Sequence, residues 1–377
     1  MNQIFPHRQP VALRVASALL LVFCFHFPGI AEAGDPKISP AASAGATCNL
    51  EFYDSLEYDK GKQSSVAIHP SGLVIEMHQT DAGLDLTNWY RIGKLDGTRL
   101  IWGGSQHADF SGTWPTVAIT KEGYVLVVYS TGISKNPSEL EYRVGQIDPD
   151  GDVNQSITWR THSMRWDTGF HASIAMNDSG VIVGVHEPGR GGDGIYYRVG
   201  HLRNPAAGDY TVQWDSGEWG IRYDTGINPH VAINNLNKVV LVHQVPGETL
   251  LHYRRGLVNG GDIFFAESRR YDNHAERPAV ALLDSGLVLE VHSLGGLISR
   301  TGRLSDFNSW EIEWADPIKI DDNDDIEYPA LATNGIHAVE THVLGGFFST
   351  YPLRSSVAEI CDSVQPGEGS DILIPWN

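Results

Sequence analysis

Cysteine is scarce, with three in 377 residues, at positions 24, 48 and 361. A metal scaffold of paired Cys-x-x-Cys ligands or a densely bridged miniature fold is excluded by that count. Cationic residues are also few. Lys and Arg number 27 against 46 Asp and Glu, for a net charge of −19 with His neutral. Bulk charge of that sign repels nucleic acid and anionic bilayers, and no basic cluster reverses it. Long apolar runs are missing too: the longest, Val15 to Phe25, falls short of the roughly 20 residues a membrane span needs. No helical period of useful length runs through the chain beyond it. Nucleophile elbow, P-loop and His-Glu-x-x-His motifs are absent, which weakens the case for the hydrolases and metalloenzymes that use them.

The first segment reads as an export signal. Arg8 and Arg14 precede the apolar run, and Ala31-Glu32-Ala33 offers small residues for cleavage before Gly34. Residues 1–33 are therefore assigned to a signal peptide and the product to a secreted or periplasmic compartment. Residues 34–47, rich in Pro, Ala, Gly and Ser, read as a flexible linker. The folded region is expected over 48–361, with 362–377 as a Pro-, Gly- and acid-rich tail.

One phrase recurs through that region. It stands at Ser65-Val66-Ala67-Ile68, Thr116-Val117-Ala118-Ile119, Ser173-Ile174-Ala175-Met176, His230-Val231-Ala232-Ile233, Ala279-Val280-Ala281-Leu282 and Ala330-Leu331-Ala332-Thr333. Its starts lie 51, 57, 57, 49 and 51 residues apart. A period of this size with strand-like contents predicts an all-β, six-bladed β-propeller. Each unit reads as four strands: the core phrase, an apolar β-branched run ending in His, a Tyr-Arg phrase, and a segment with an aromatic followed by Asp. Apolar runs without alternation imply strands covered on both faces.

The sixth unit has three strands, the third read as Phe347 to Leu353, and no fourth. Phe52, seven residues before Asp59, supplies the missing aromatic-acid segment at the other end of the chain. The N-terminal strand is thus expected to complete the last blade and remove an open edge. That closure sets Cys48 beside Cys361, and export permits a disulfide between them.

Trp214, Tyr223-Asp224-x-Gly226, Pro229-x-Val231-Ala232-Ile233, His243 and Tyr253-Arg254 form one such unit. It resembles the repeats of secreted bacterial β-propeller proteins, among them lectin-like ones, over about residues 48–354. The resemblance implies the architecture, and propellers of this repeat length include sugar-binding lectins and glycan-active enzymes. The Asp-x-Gly phrases lack the Ser or Thr and the aromatic that flank a sialidase Asp-box, so no sialidase residues are carried over.

The His ending the second strand recurs as His78, His186, His243, His292 and His342, with Tyr129 in the second unit. Spread around a ring, these cannot converge on one metal. They read as links between blades or as sugar contacts. The Arg after each Tyr recurs as Arg91, Arg143, Arg198, Arg254 and Arg300, to pair with the repeat Asp or reach a groove. A Glu two residues before the His is confined to Glu76, Glu290 and Glu340. Residues two apart share a strand face, so each Glu and His project together. The three pairs fall in neighbouring units and read either as structural links or as an asymmetric ligand site with Arg91 and Arg300. Asp321, Asn323 and Asp325 are spaced like the start of a calcium loop, but the Gly and Glu that complete one are missing.

These features are read first as an exported, non-catalytic, lectin-like propeller that binds a glycan or glycoconjugate. Two alternatives stand beside it. One is a secreted glycoside hydrolase or polysaccharide lyase using Glu76, Glu290 and Glu340. The other is an adhesion scaffold with a protein partner. No cofactor is required by any of the three.

Overall fold

The computed structural model describes residues 50–360, apart from 54, 82–84, 133–137, 190–191, 216, 218, 306–310 and 346–350. The expected signal peptide, linker and tail, and all three cysteines, lie outside the described residues, as does the expected start of the sixth unit's third strand at Phe347.

Within them the chain is almost entirely β-structure, with one three-residue helical turn at Pro205–Ala207. The core phrases form the inner strands Lys62–Ile68, Thr113–Ile119, Met164–Met176, Ile227–Ile233, Glu276–Leu282 and Ile326–Thr333. Each packs against the next, and the last packs against the first, so the inner strands close a ring. The second strands, such as Leu73–Gln79 and Leu287–Ser293, are buried at every position. Their unbroken apolar character follows from a neighbouring sheet on each face.

The expectation of six separate four-stranded blades needs correction. Four sheets of four or five strands stand apart, and the remaining strands fuse into one nine-stranded sheet. The fusion has a local cause. In four units the chain passes directly from the end of one sheet into the next inner strand, and Gly61, Gly112 and Gly226 break that passage in three of them. At Gly169 the strand Met164–Met176 runs through unbroken, pairing first with Ser138–Gln146 and then with Val181–Glu187. The fourth strand is also not single. Arg99–Trp102 and Gln106–Ser111 both pair with Thr87–Asp96, and the same division recurs in later units.

Aromatic wedges join the units. Tyr58, Trp166, Tyr223 and Tyr271, each one residue before the repeat Asp, stack on Trp102, Trp214, Phe265 and Trp314 of the following unit at 4.8–5.5 Å. The ring at each of these places lies flat on a glycine of the third strand. A Cβ on Gly93 would stand 2.8 Å from the Trp102 ring, too close for any side chain.

The N-terminal strand closes the ring. Leu56–Lys60 pairs antiparallel with Pro352–Glu359, and Phe52 bridges to Ala358. The described part of the sixth unit's third strand, Pro352–Glu359, runs on past the Leu353 at which the repeat pattern ended it. Leu50 and Ile360, two residues after Cys48 and one before Cys361 in sequence, belong to one apolar cluster. A chain beginning at Gly61 would leave the free edge of Pro352–Glu359 open to pairing with other chains. It is expected to self-associate in size-exclusion chromatography and to melt several degrees lower; a monomer with an unchanged midpoint would contradict this closure.

Candidate functional site

The residues singled out by the repeat pattern lie inside the sheets. Glu76, Glu290 and Glu340 are wholly buried, as are His78, His292 and His342. Each Glu meets the His two residues on, with Nδ1 donating to the carboxylate at 3.0–3.2 Å. Tyr271 donates to Glu290 at 2.9 Å and Ser356 to Glu340 at 2.9 Å. The Arg residues bridge units: Arg91 reaches Asp59 at 2.6 Å, Arg254 reaches Asp224 at 2.9 Å and Arg300 reaches Asp272 at 3.2 Å. Asp321, Asn323 and Asp325 occupy a turn where Asp321 accepts from the Asn323 amide and Asn323 from the Asp325 amide.

A second constellation stands at one mouth of the ring. Each inner strand carries a β-bulge near its start, visible as a register shift against the second strand. One residue of each bulge lies at positive φ, and none is glycine. They are Gln63 (56°), Trp114 (55°), His171 (47°), Asn228 (50°), Arg277 (50°) and Tyr328 (49°). Left-handed backbone costs a side-chain-bearing residue about 1 kcal/mol or more. Four of the six precede proline (Pro115, Pro229, Pro278 and Pro329), which disfavours helical backbone further. Strained non-glycine residues at bulges are characteristic of sites where a side chain is being aimed. Here all six line one cavity of about 90 Å³ on the ring axis.

The side chains form one wall of contacts. Trp114 meets His171 edge-on at 3.6 Å and Tyr328 edge-on at 4.7 Å. Arg277 lies over the Tyr328 ring at 4.6 Å and has Glu327 at 3.8 Å. His171 donates from Nδ1 to Glu187 at 2.7 Å, and the same oxygen accepts from the Asn228 amide at 2.8 Å. Asn228 Nδ2 donates to Gln244 at 3.0 Å, and the Trp114 amide to Gln63 at 2.7 Å. Deeper in the cavity, His230 Nδ1 accepts from the Val280 amide at 3.3 Å. Desolvation pulls His230 down to about 4, in keeping with a ring that must stay neutral to accept. Burial also pushes the Tyr328 hydroxyl above its usual range.

No protein-family profile matches the sequence, and no curated protein matches it. Solved structures do match in shape. An α-L-arabinanase of Penicillium chrysogenum, complexed with arabinobiose, has a TM-score of 0.54 at 11% identity, over 83% of this chain and 98% of that one. A protein of unknown function from Dyadobacter fermentans has a TM-score of 0.53 at 12% identity, over 82% and 99%. The Hadza microbial sialidase Hz136 has a TM-score of 0.50 at 10% identity, over 78% and 65%. The chain is a β-propeller. At such identities the likeness concerns fold alone.

The propeller's mouth was not among the residues read from the repeat. Its signal was nonetheless present: the residue two places before each core phrase differs in all six units, and in four of them a proline follows it. A position that varies at a fixed offset from a repeated phrase marks where a symmetric ring is made asymmetric.

The buried His positions carry an internal comparison. Burial opposes charge on His78, but Glu76 and, at longer range, Asp59 outweigh it against Arg91 and hold the imidazole above its ordinary value. Glu290 and Asp272 do the same for His292, against burial and Arg300. His243 has Leu241 in place of that Glu, and burial takes it down to about 4 in spite of Asp224. A raised imidazole stabilises the fold fully below about pH 6.5 and loses that contribution as pH rises through the folded-state value; a lowered one is lost as pH falls from about 6.5 toward 4. Glu76→Gln is therefore expected to cost about 3 kcal/mol near pH 6 and less near pH 9. Urea unfolding at the two pH values checks this, and a penalty independent of pH would contradict it.

Proposed function

We propose that this protein is an exported, carbohydrate-binding propeller that takes a glycan at the axial mouth, within a ring of six repeat units. The observation that carries the reading is the set of six unlike side chains held at strained backbone around one cavity. Trp114 and Tyr328 supply apolar faces for sugar rings, and Asn228, Gln63, His171 and Arg277 supply donors and acceptors for hydroxyls. A pocket with few polar groups converging beside aromatic surface is the usual form of a small-ligand site. The arabinanase with bound arabinobiose shares the shape, at 11% identity, which lends the fold and not the specificity. Export through residues 1–33 and a Cys48–Cys361 bridge across the closure belong to the same proposal.

The location differs from the buried Glu-x-His pairs. Those carboxylates are saturated by neighbours inside the sheets, so a ligand would reach them only by separating blades. One unique mouth also fits a single ligand better than six equivalent weak sites. A second reading, an enzyme acting on the glycan, is favoured by one contact: the Glu187 carboxylate orients His171 at the cavity wall, an arrangement suited to moving a proton.

A glycan array followed by calorimetry tests the site. Trp114→Ala is expected to weaken binding roughly 30-fold, the effect of losing about 2 kcal/mol at a central aromatic anchor. Trp219→Ala, at an indole 53% exposed away from the mouth, is expected to leave affinity unchanged. Glycan binding that survives Trp114→Ala, or no glycan binding by the wild type, would overturn the proposal. Release of new reducing or unsaturated ends, lost in His171→Ala, would select the second reading.

A further inference from the structure

Resting on a saccharide site at the mouth, we infer that the sugar it selects carries a carboxylate, recognised by Arg277. Other arginines of the repeat are bound to protein. Arg91 donates to Asp59 and to the Gly103 carbonyl. Arg254 donates to Asp224, and Arg300 donates to the Tyr271 carbonyl and pairs with Asp272. These guanidinium groups are committed to the walls between units.

Arg277 is different. It has no hydrogen bond to a protein acceptor among the described residues. Its ion contact with Glu327 is long, at 3.8 Å, and Glu327 is itself 38% exposed. The guanidinium instead stands over the Tyr328 ring, 4.6 Å from its centroid. A planar fork of five N–H donors, seated over an aromatic ring and with no hydrogen bond to the described residues, matches a carboxylate in a bidentate arrangement.

The cavity around it is arranged in the same sense. The chain is strongly acidic, yet among the described residues no carboxylate lines the cavity; the ionisable side chains that do are His171, His230, Arg277 and Tyr328. Glu187, behind the wall, already accepts from His171 and from the Asn228 amide through one oxygen. A carboxylate entering the mouth would therefore meet donors and would displace only the loose Glu327 contact. Trp114 stands one aromatic ring away, beside Tyr328, to take the apolar face of the same sugar.

Carboxylates occur on sugars as uronates and as sialates, so two matched pairs of probes are needed. The first is oligogalacturonate against its fully methyl-esterified form; the second is sialyllactose against lactose. Wild-type protein is expected to bind one of the acids about 10- to 100-fold more tightly than its neutral counterpart, the worth of a charge-assisted bidentate contact. Arg277→Gln should bring that acid to the affinity of the neutral form, and Arg277→Lys should restore part of the difference. The pair that shows the preference identifies the source of the carboxylate. Equal affinities within both pairs, or a preference that persists in Arg277→Gln, would overturn the inference. Should neutral glycans bind while neither acid is preferred, Arg277 selectivity fails and the saccharide site stands. If no probe and no arrayed glycan binds, both fail.

Discussion

Closure of the inner ring governs everything else in this molecule. A strand at the edge of a sheet presents unpaired amides and carbonyls, and a repeat array has such an edge at each end. Here both edges are consumed at once, because Leu56–Lys60 from the front of the chain pairs with Pro352–Glu359 from the back. The junction is reinforced across its faces. Tyr58 stacks on Trp102, Asp59 pairs with Arg91, and the charges of Glu76 and Glu340 both bear on the Tyr58 hydroxyl. Two of the buried Glu–His pairs, Glu76–His78 and Glu340–His342, stand in the units that flank this junction, and Glu290–His292 stands in the next unit. Their confinement there fits a structural task, the neutralising and locking of the seam, since a buried carboxylate without a partner would be costly.

Once the ring is closed, its symmetry becomes a means of making something asymmetric. Six near-identical inner strands deliver six backbone positions to one axial mouth at the same depth. The bulge at each position tilts the side chain toward the axis, and the strain that results is carried by the sheets on either side. Because the scaffold is set by the repeated phrases, the bulge residue is released from packing duty. Gln, Trp, His, Asn, Arg and Tyr can then stand at equivalent places without disturbing the fold. A ring of equal units would offer a ligand six similar faces. This ring offers one composite face, aromatic on one side and hydrogen-bonding on the other.

Much of the architecture is legible in the sequence. Spacing of the Val-Ala-Ile phrase located the inner strands, and the unpaired Phe52–Asp59 segment revealed how the ends meet. What escaped had physical causes. The division into blades depends on whether a single glycine interrupts a passage, and Gly169 looks the same in sequence as Gly61 or Gly112. The partner of each strand-four aromatic lies in the preceding unit, which periodicity within one unit cannot express. The Glu-x-His pattern drew notice because it broke symmetry, yet its residues bury one another. The mouth broke symmetry more completely, but as six different residues with no shared type it formed no motif. Its only trace was variability at a fixed offset from a repeated phrase.

The central claim is that the six left-handed positions carry side chains for a ligand at a cost to the backbone. Thermal unfolding of Gln63→Gly, Asn228→Gly and Arg277→Gly, paired with glycan affinity for each, tests it most directly. Glycine removes the strain of about 1–3 kcal/mol at such a position. The account predicts midpoints equal to or above the wild type together with weakened binding. Midpoints that fall by several degrees while affinity is untouched would show that these residues serve the fold, and would contradict it.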